Sequence, residues 1–218
     1  MARGTPGRPA RINIDLIESA VIEVGFDKVS TTVVAKHLGV EQSSLYRHIS
    51  SRRGLLLAAI RRVVADTTFP QHHDSWRNYL TAIAETVWNM LEKHPGLAGV
   101  IFELDAPTPE QLTGRTQETI DVLQGYGFTA QQSLRILETL LHVTATAVLK
   151  AEHAEQVIAN ATNNTDPSQL ETILRMTHVR EDDRIWWEEC VTLILDGAQY
   201  QLERHYSGDS ERRTHHGM

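Results

Sequence analysis

Apolar residues along this chain recur at intervals of three and four, and almost nowhere alternate with polar ones. The first spacing marks one face of an α-helix; alternation would mark a half-buried strand. Leu16, Ile17, Ala20, Val21 and Val24 share a face and stop at Gly25, which predicts a first helix over about 12–25 closed by glycine. Ser30, Thr31 and Thr32 offer an N-cap for a short helix ending at Gly39, and a third short helix occupies 42–48. Ser50 or Ser51 caps a fourth, rich in Leu and Ile, that reaches about residue 67 and gives way to the polar hinge FPQHHD. Further helices are predicted from Asp74 toward Lys93, from Pro95 through Glu103, over about 129–153 and over 181–206. Three starts carry a capping box: Thr108-Pro-Glu-Gln111, Thr129-Ala-Gln-Gln132 and Asp166-Pro167-Ser168-Gln169. ANATNNTDP reads as a loop and SGDSERRTHHGM as a frayed tail. The expected fold is all-α, about ten helices without a sheet. It divides into an arm (1–11), a small helical domain (12–66), a larger one (67–206) and a disordered tail (207–218).

At 218 residues and 41% hydrophobic, the chain can bury a sizeable core. Its single cysteine, Cys190, excludes an intrachain disulfide and any Cys-based zinc motif, and fits a reducing cytosol. Asp15, Glu18 and Glu23 interrupt any signal-peptide core, and no window approaches the roughly 18 apolar residues of a membrane span. A cytoplasmic protein without a membrane partner is expected. Charge changes the picture further. Residues 1–65 hold ten Lys/Arg against five Asp/Glu, whereas 66–218 hold eleven against twenty-three. A basic end on an acidic whole suits a protein that meets a polyanion with one end and repels it with the other.

The stretch AKHLGVEQSSLYRHISSRRGLL concentrates the candidate chemistry. Ala35 is small where two helices would cross, Gly39 suits the turn, and Val40, Leu45 and Ile49 supply a buried face; together they describe a helix-turn-helix. Gln42, Ser43, Ser44, Tyr46, Arg47 and His48 are then left outward or along the rim, as a major-groove reader requires. Gln42 suits an adenine edge, Arg47 a guanine or a phosphate, and Tyr46 and His48 phosphate oxygens. Thr31 and Thr32 open the preceding helix, where hydroxyls and free N–H groups can hold a phosphate. Arg52 and Arg53 start the following helix within reach of the same backbone. Arg3, Arg8 and Arg11 lie on a Gly/Pro-rich arm suited to the minor groove. The alternative is a three-helix bundle with an ordinary polar face.

The run TTVVAKHLGVEQSSLYRHISSRRGLL resembles the DNA-binding domain of the tetracycline-repressor family, strongly over 12–65 and weakly beyond. The resemblance implies an all-helical, homodimeric repressor that reads a double-stranded operator through helix 42–48 and is released by a small effector. By position it places DNA contacts at Thr31, Thr32, Gln42, Ser43, Ser44, Tyr46, Arg47, His48 and Arg52. Val33 departs from the family's tetracycline-binding members, which carry a basic reader there, so a different operator is expected.

Dimerisation is expected on mechanistic grounds too, because one recognition helix reads few base pairs. RILETLLHVTATAVL and WWEECVTLILDGAQYQL have broader apolar faces than a surface helix needs, and the family likeness pairs the last two long helices with their mates in a four-helix bundle. An effector cavity is expected between residues 76 and 150, with Trp88, Phe102, Leu123, His142 and Thr146 as candidate contacts, plain core being the alternative for each. His142 falls where the family places a pocket histidine. Residues 99–103 lack the second histidine of the family's tetracycline–magnesium site, and Lys150 takes the place of its carboxylate. A metal-free organic effector follows, with no cofactor. The helix at 51–67 is the expected lever and the one at 95–103 its transmitter. Two rivals stand beside this reading. An architectural protein would bind DNA without small-molecule control. An enzyme would need motif spacing that HHD at 72–74 and THH at 214–216 do not provide, and the chain has no phosphate loop, nucleophile elbow or HExxH.

Overall fold

The computed structural model describes residues 12–71, 74–104, 110–164, 169 and 183–214. Among them are nine α-helices and no strand. The first, α1 (Ile14–Val24), starts at Asn13, whose side chain accepts the Leu16 N–H at 2.9 Å, and ends at Gly25. A turn of 3-10 helix (Phe26–Lys28) separates it from α2 (Thr31–His37), capped by Ser30 on the Val33 N–H. Gly39 then turns the chain at φ +65°, a conformation that costs other residues a steric penalty, and the Val40 N–H closes back on the Ala35 carbonyl at 3.0 Å. Next come α3 (Gln42–Tyr46) and α4 (Arg52–Asp66), the latter capped by Ser51. Ile17, Val21, Phe26, Val34, Leu45, Leu55 and Leu56 are fully buried between these elements, which fixes the helix-turn-helix against α1 and α4.

The body consists of α5 (Trp76–Lys93), α6 (Leu97–Glu103), α7 (Glu110–Gly125), α8 (Ala130–Asn164) and α9 (Asp183–Thr214). The Thr129/Gln132 box forms in full: the Gln132 N–H reaches Thr129 Oγ1 at 3.2 Å and the Thr129 N–H reaches Gln132 Oε1 at 2.8 Å. The other two boxes fall on or beside residues outside those described. Buried residues make one contiguous apolar cluster from Ile17 in the head to Leu202 in α9.

Several boundaries differ from the sequence expectation, each for a physical reason. The third helix stops at Tyr46, not residue 48, because Arg47 caps it and the chain turns to bring Ile49 inward. Pro95 does not open α6; Gly96, at φ +82°, stands before its first residue. The helix expected to end near 153 runs on through Asn164, so the 159–164 part of ANATNNTDP is helical; Ala159 and Ala161 favour a helix there, Asn and Thr weaken it without stopping it, and the next proline is Pro167. The last helix likewise continues through Thr214, beyond the point where Gly208 and its neighbouring serines suggested fraying. No helix among the described residues is long and apolar enough to cross a membrane.

Candidate nucleic-acid interface and cavity

The outer surface of α2 and α3 is a connected polar face. Gln42 donates through Nε2 to Thr31 Oγ1 at 2.6 Å and to the Tyr46 hydroxyl at 3.3 Å, so the first turn of α2 and both ends of α3 are braced by side chains. Ser43, Tyr46, Arg47 and His48 are exposed; Gln42 and Ser44 are half-buried. Ser30 takes the Val33 N–H, which leaves the first-turn N–H groups of Thr31 and Thr32 without an intrahelical acceptor. Exposed Val33 adds an apolar spot to the same turn. Arg8 and Arg11, like Arg3, lie outside the described residues. Arg53 is exposed at the start of α4. Arg52 beside it is turned toward the body: its Nε–H donates to the Val29 carbonyl at 2.9 Å and its guanidinium pairs with Glu103 of α6.

In the body, a cavity of about 560 Å³ opens between α5, α7, α8 and the segment that leaves α4. Tyr79, Ile83, Ala84, Thr119, Leu140 and Thr144 form its buried floor. The floor's polar atoms bond one another: the Tyr79 hydroxyl donates to Thr119 Oγ1 (3.4 Å), Thr119 donates to the Arg115 carbonyl (3.0 Å), and Trp187 Nε1 donates to Thr144 Oγ1 (2.8 Å). Phe69, Pro70 and Gln71 close one side. Arg115, Glu118, Leu134 and Glu138 stand at the mouth, with Arg115 paired to Glu118 at 2.8 Å and 5.8 Å from the centroid of the Phe69 ring.

This arrangement of helical head and body recurs in known proteins. Residues 14–59 match the family model described as bacterial regulatory proteins, tetR family, and residues 69–202 match the tetracyclin repressor-like C-terminal domain. The chain belongs to the tetracycline-repressor family. The class A tetracycline repressor from transposon 1721 of Escherichia coli is 26% identical over 203 residues, 90% of this chain and 91% of that protein. The crystal structure of the Streptomyces coelicolor TetR family protein ActR in complex with (S)-DNPA superposes with a TM-score of 0.71 at 17% identity, covering 88% of this chain and all of that one. TetR from Acinetobacter baumannii AYE gives a TM-score of 0.63 at 20% identity, covering 87% of this chain and 98% of that one. The protein is a ligand-responsive transcriptional regulator with the fold of its family, as the sequence implied.

Within that family fold, none of the five expected effector contacts lines the cavity. Trp88 packs on Trp187 with ring centroids 4.9 Å apart, and Arg184 lies over both rings while paired to Glu85 and Glu188. Leu123 is wholly buried in the core, and Thr146 is half-buried elsewhere on α8. Phe102 and His142 meet at 5.9 Å on an exposed edge, where the His142 Nδ1–H donates to the Glu138 carbonyl at 2.8 Å. Lys150 lies over the Trp186 ring at 4.7 Å. Three of the lining residues are immediate neighbours of residues the sequence suggested: Val87 beside Trp88, Val122 beside Leu123 and Leu141 beside His142. One residue turns a helix by about 100°, which decides between wall and core.

The joint between head and body is built from short-range contacts. The Phe26 N–H donates to the Pro95 carbonyl at 3.2 Å, and a Cβ on Gly96 would stand 2.5 Å from the Asp27 nitrogen. The Gly96 N–H in turn donates to Glu152 of α8 at 2.9 Å. His94, whose ring meets Phe26 edge-on, has its pKa lowered first by burial and then by Lys93, against an opposing pull from Asp66.

Proposed function

We propose that the protein is a homodimeric repressor that grips an inverted-repeat operator and releases it when a small organic molecule fills the cavity. Bases are read by the outer side of α3, with Gln42, Ser43 and Ser44 toward the groove and Tyr46, Arg47, His48 and Arg53 toward the flanking backbone. Thr31 and Thr32 hold a phosphate, and Arg8 and Arg11 follow the minor groove. Arg52 contributes chiefly by setting the angle of the head, because its guanidinium is engaged by Val29 and Glu103.

One observation carries the release step. Phe69, Pro70 and Gln71, which wall the cavity, come directly after α4, and α4 begins at Arg52 just behind the reading face. An effector that fits the cavity better at one setting of that wall favours one separation of the paired heads and lowers operator affinity by the difference. Two-fold pairing is supported by α9, on which Ile185, Leu193 and Tyr200 are exposed large apolar residues. The ligands named for ActR, (S)-DNPA and actinorhodin, are organic molecules, which supports an organic effector here.

The test is a distance measurement between spin labels at Lys36→Cys on the two heads in a Cys190→Ser background. An effector identified by its release of labelled operator should change that distance at the same concentrations. Release without any change in head separation would reject the lever.

A further inference from the structure

Taking the cavity as the effector site, we propose that its ligand is an organic cation: an apolar, ring-containing body seated on the floor and a positively charged nitrogen held at the mouth by Glu138. The inference rests on that reading of the cavity and adds the class of ligand. The floor is lined by Tyr79, Ile83, Ala84, Leu140 and two threonines whose hydroxyls are already in use. Among the described residues no buried side-chain nitrogen or oxygen is left without a partner. Nothing in the depth calls for a charged group, and a ligand charge carried there would lose its water without gaining a counter-ion. The buried part of the ligand is therefore apolar.

Charge enters only at the mouth. The one cation among the lining residues, Arg115, is held by Glu118 and rests over the Phe69 ring. Glu138, also at the mouth, is exposed and forms no ion pair among the described residues. A carboxylate or sulfonate on the ligand would meet two carboxylates against one occupied guanidinium. An ammonium or amidinium meets an open carboxylate beside an apolar slot, and the aromatic faces of Phe69 and Tyr79 are compatible with its ring system. The cavity volume lies within the range usual for sites that hold drug-sized molecules.

Three fluorescent probes of one shape and different charge separate the possibilities: anthracenylmethylammonium, anthracenylmethanol and anthracenylacetate, titrated into the wild-type protein, Glu138→Gln and Leu137→Trp. Glu138→Gln is an exposed, nearly isosteric change, and Leu137→Trp blocks the half-buried rim while sparing the buried floor. The ammonium should bind roughly fivefold or more tighter than the acetate, the scale of one solvent-screened ion pair gained against one repulsion. That preference should vanish in Glu138→Gln, shrink at about 1 M salt, and leave the methanol's affinity unchanged between wild type and Glu138→Gln. Equal binding of all three, tightest binding of the acetate, or an ammonium preference that survives Glu138→Gln overturns this inference while leaving the cavity as a site. No binding of any probe to the wild type, or binding indifferent to Leu137→Trp, overturns the cavity reading itself.

Discussion

Arg47 stands exposed where α3 ends, a permanent positive charge on the proposed DNA-reading face. Arg47→Ala should weaken binding to operator and to random duplex alike and lower the salt slope by about 1, read by fluorescence anisotropy on labelled duplexes. Unchanged affinity would show that another surface reads the DNA. Gly96 makes a different kind of demand. Its φ of +82° and the 2.5 Å approach that a Cβ would make to Asp27 leave no room for a side chain. Gly96→Ala should cost about 1–3 kcal/mol of stability, seen as a lower urea midpoint. At this scale the sequence was legible wherever a residue acts on its own neighbourhood. Thr129 and Gln132 form the box their spacing promised, and Ser30 caps α2. It was illegible where the partner is remote. Nothing in the residues around Arg52 points to Glu103, 51 positions away, so a residue placed on the DNA backbone by sequence turns out to be engaged by the body as well.

Elements were legible in kind and less so in extent. Interval-three-and-four spacing identifies a helix, but the helix continues until something breaks it, and Asn and Thr after residue 158 do not. The same periodicity cannot separate cavity wall from core, because both are apolar. Val87 and Trp88 are equally consistent with it, and only the packing of Trp88 on Trp187 turns Val87 to the cavity. The hinge FPQHHD looked like a linker; its first residues, Phe69 and Pro70, wall the cavity. The last helix has apolar residues on more than one side, with Trp187, Val191, Leu195 and Ala198 buried and Leu193 71% exposed. Leu193→Glu should leave the helical content unchanged and shift the protein toward monomer in sedimentation equilibrium. A dimer as tight as the wild type would place the pairing surface elsewhere.

For the whole molecule, the question is how firmly the head is joined to the body. His94 lies in that joint, and its depressed pKa gives a sign to the pH response. The unfolded chain takes up a proton near pH 6.5, before the folded joint does, so stability is present in full above that pH and falls as pH drops below it. His94→Phe should flatten that part of the stability–pH curve, followed by urea unfolding from pH 8 to 5. An undiminished slope would show that other groups carry it. The charge polarity along the chain acts at this scale too, bringing the basic head to DNA while the acidic body stays off it.

The central claim is that the α2–α3 face reads duplex DNA twice, from a two-fold pair. Selection of binding sites from random double-stranded DNA, run in parallel with the wild-type protein and Gln42→Ala, tests it directly. The wild type should enrich an inverted repeat with half-sites separated by whole turns of the duplex, and Gln42→Ala should lose preference at symmetry-related positions in both halves. Enrichment of no sequence, of an unsymmetrical one, or of identical sites by both proteins would contradict the account.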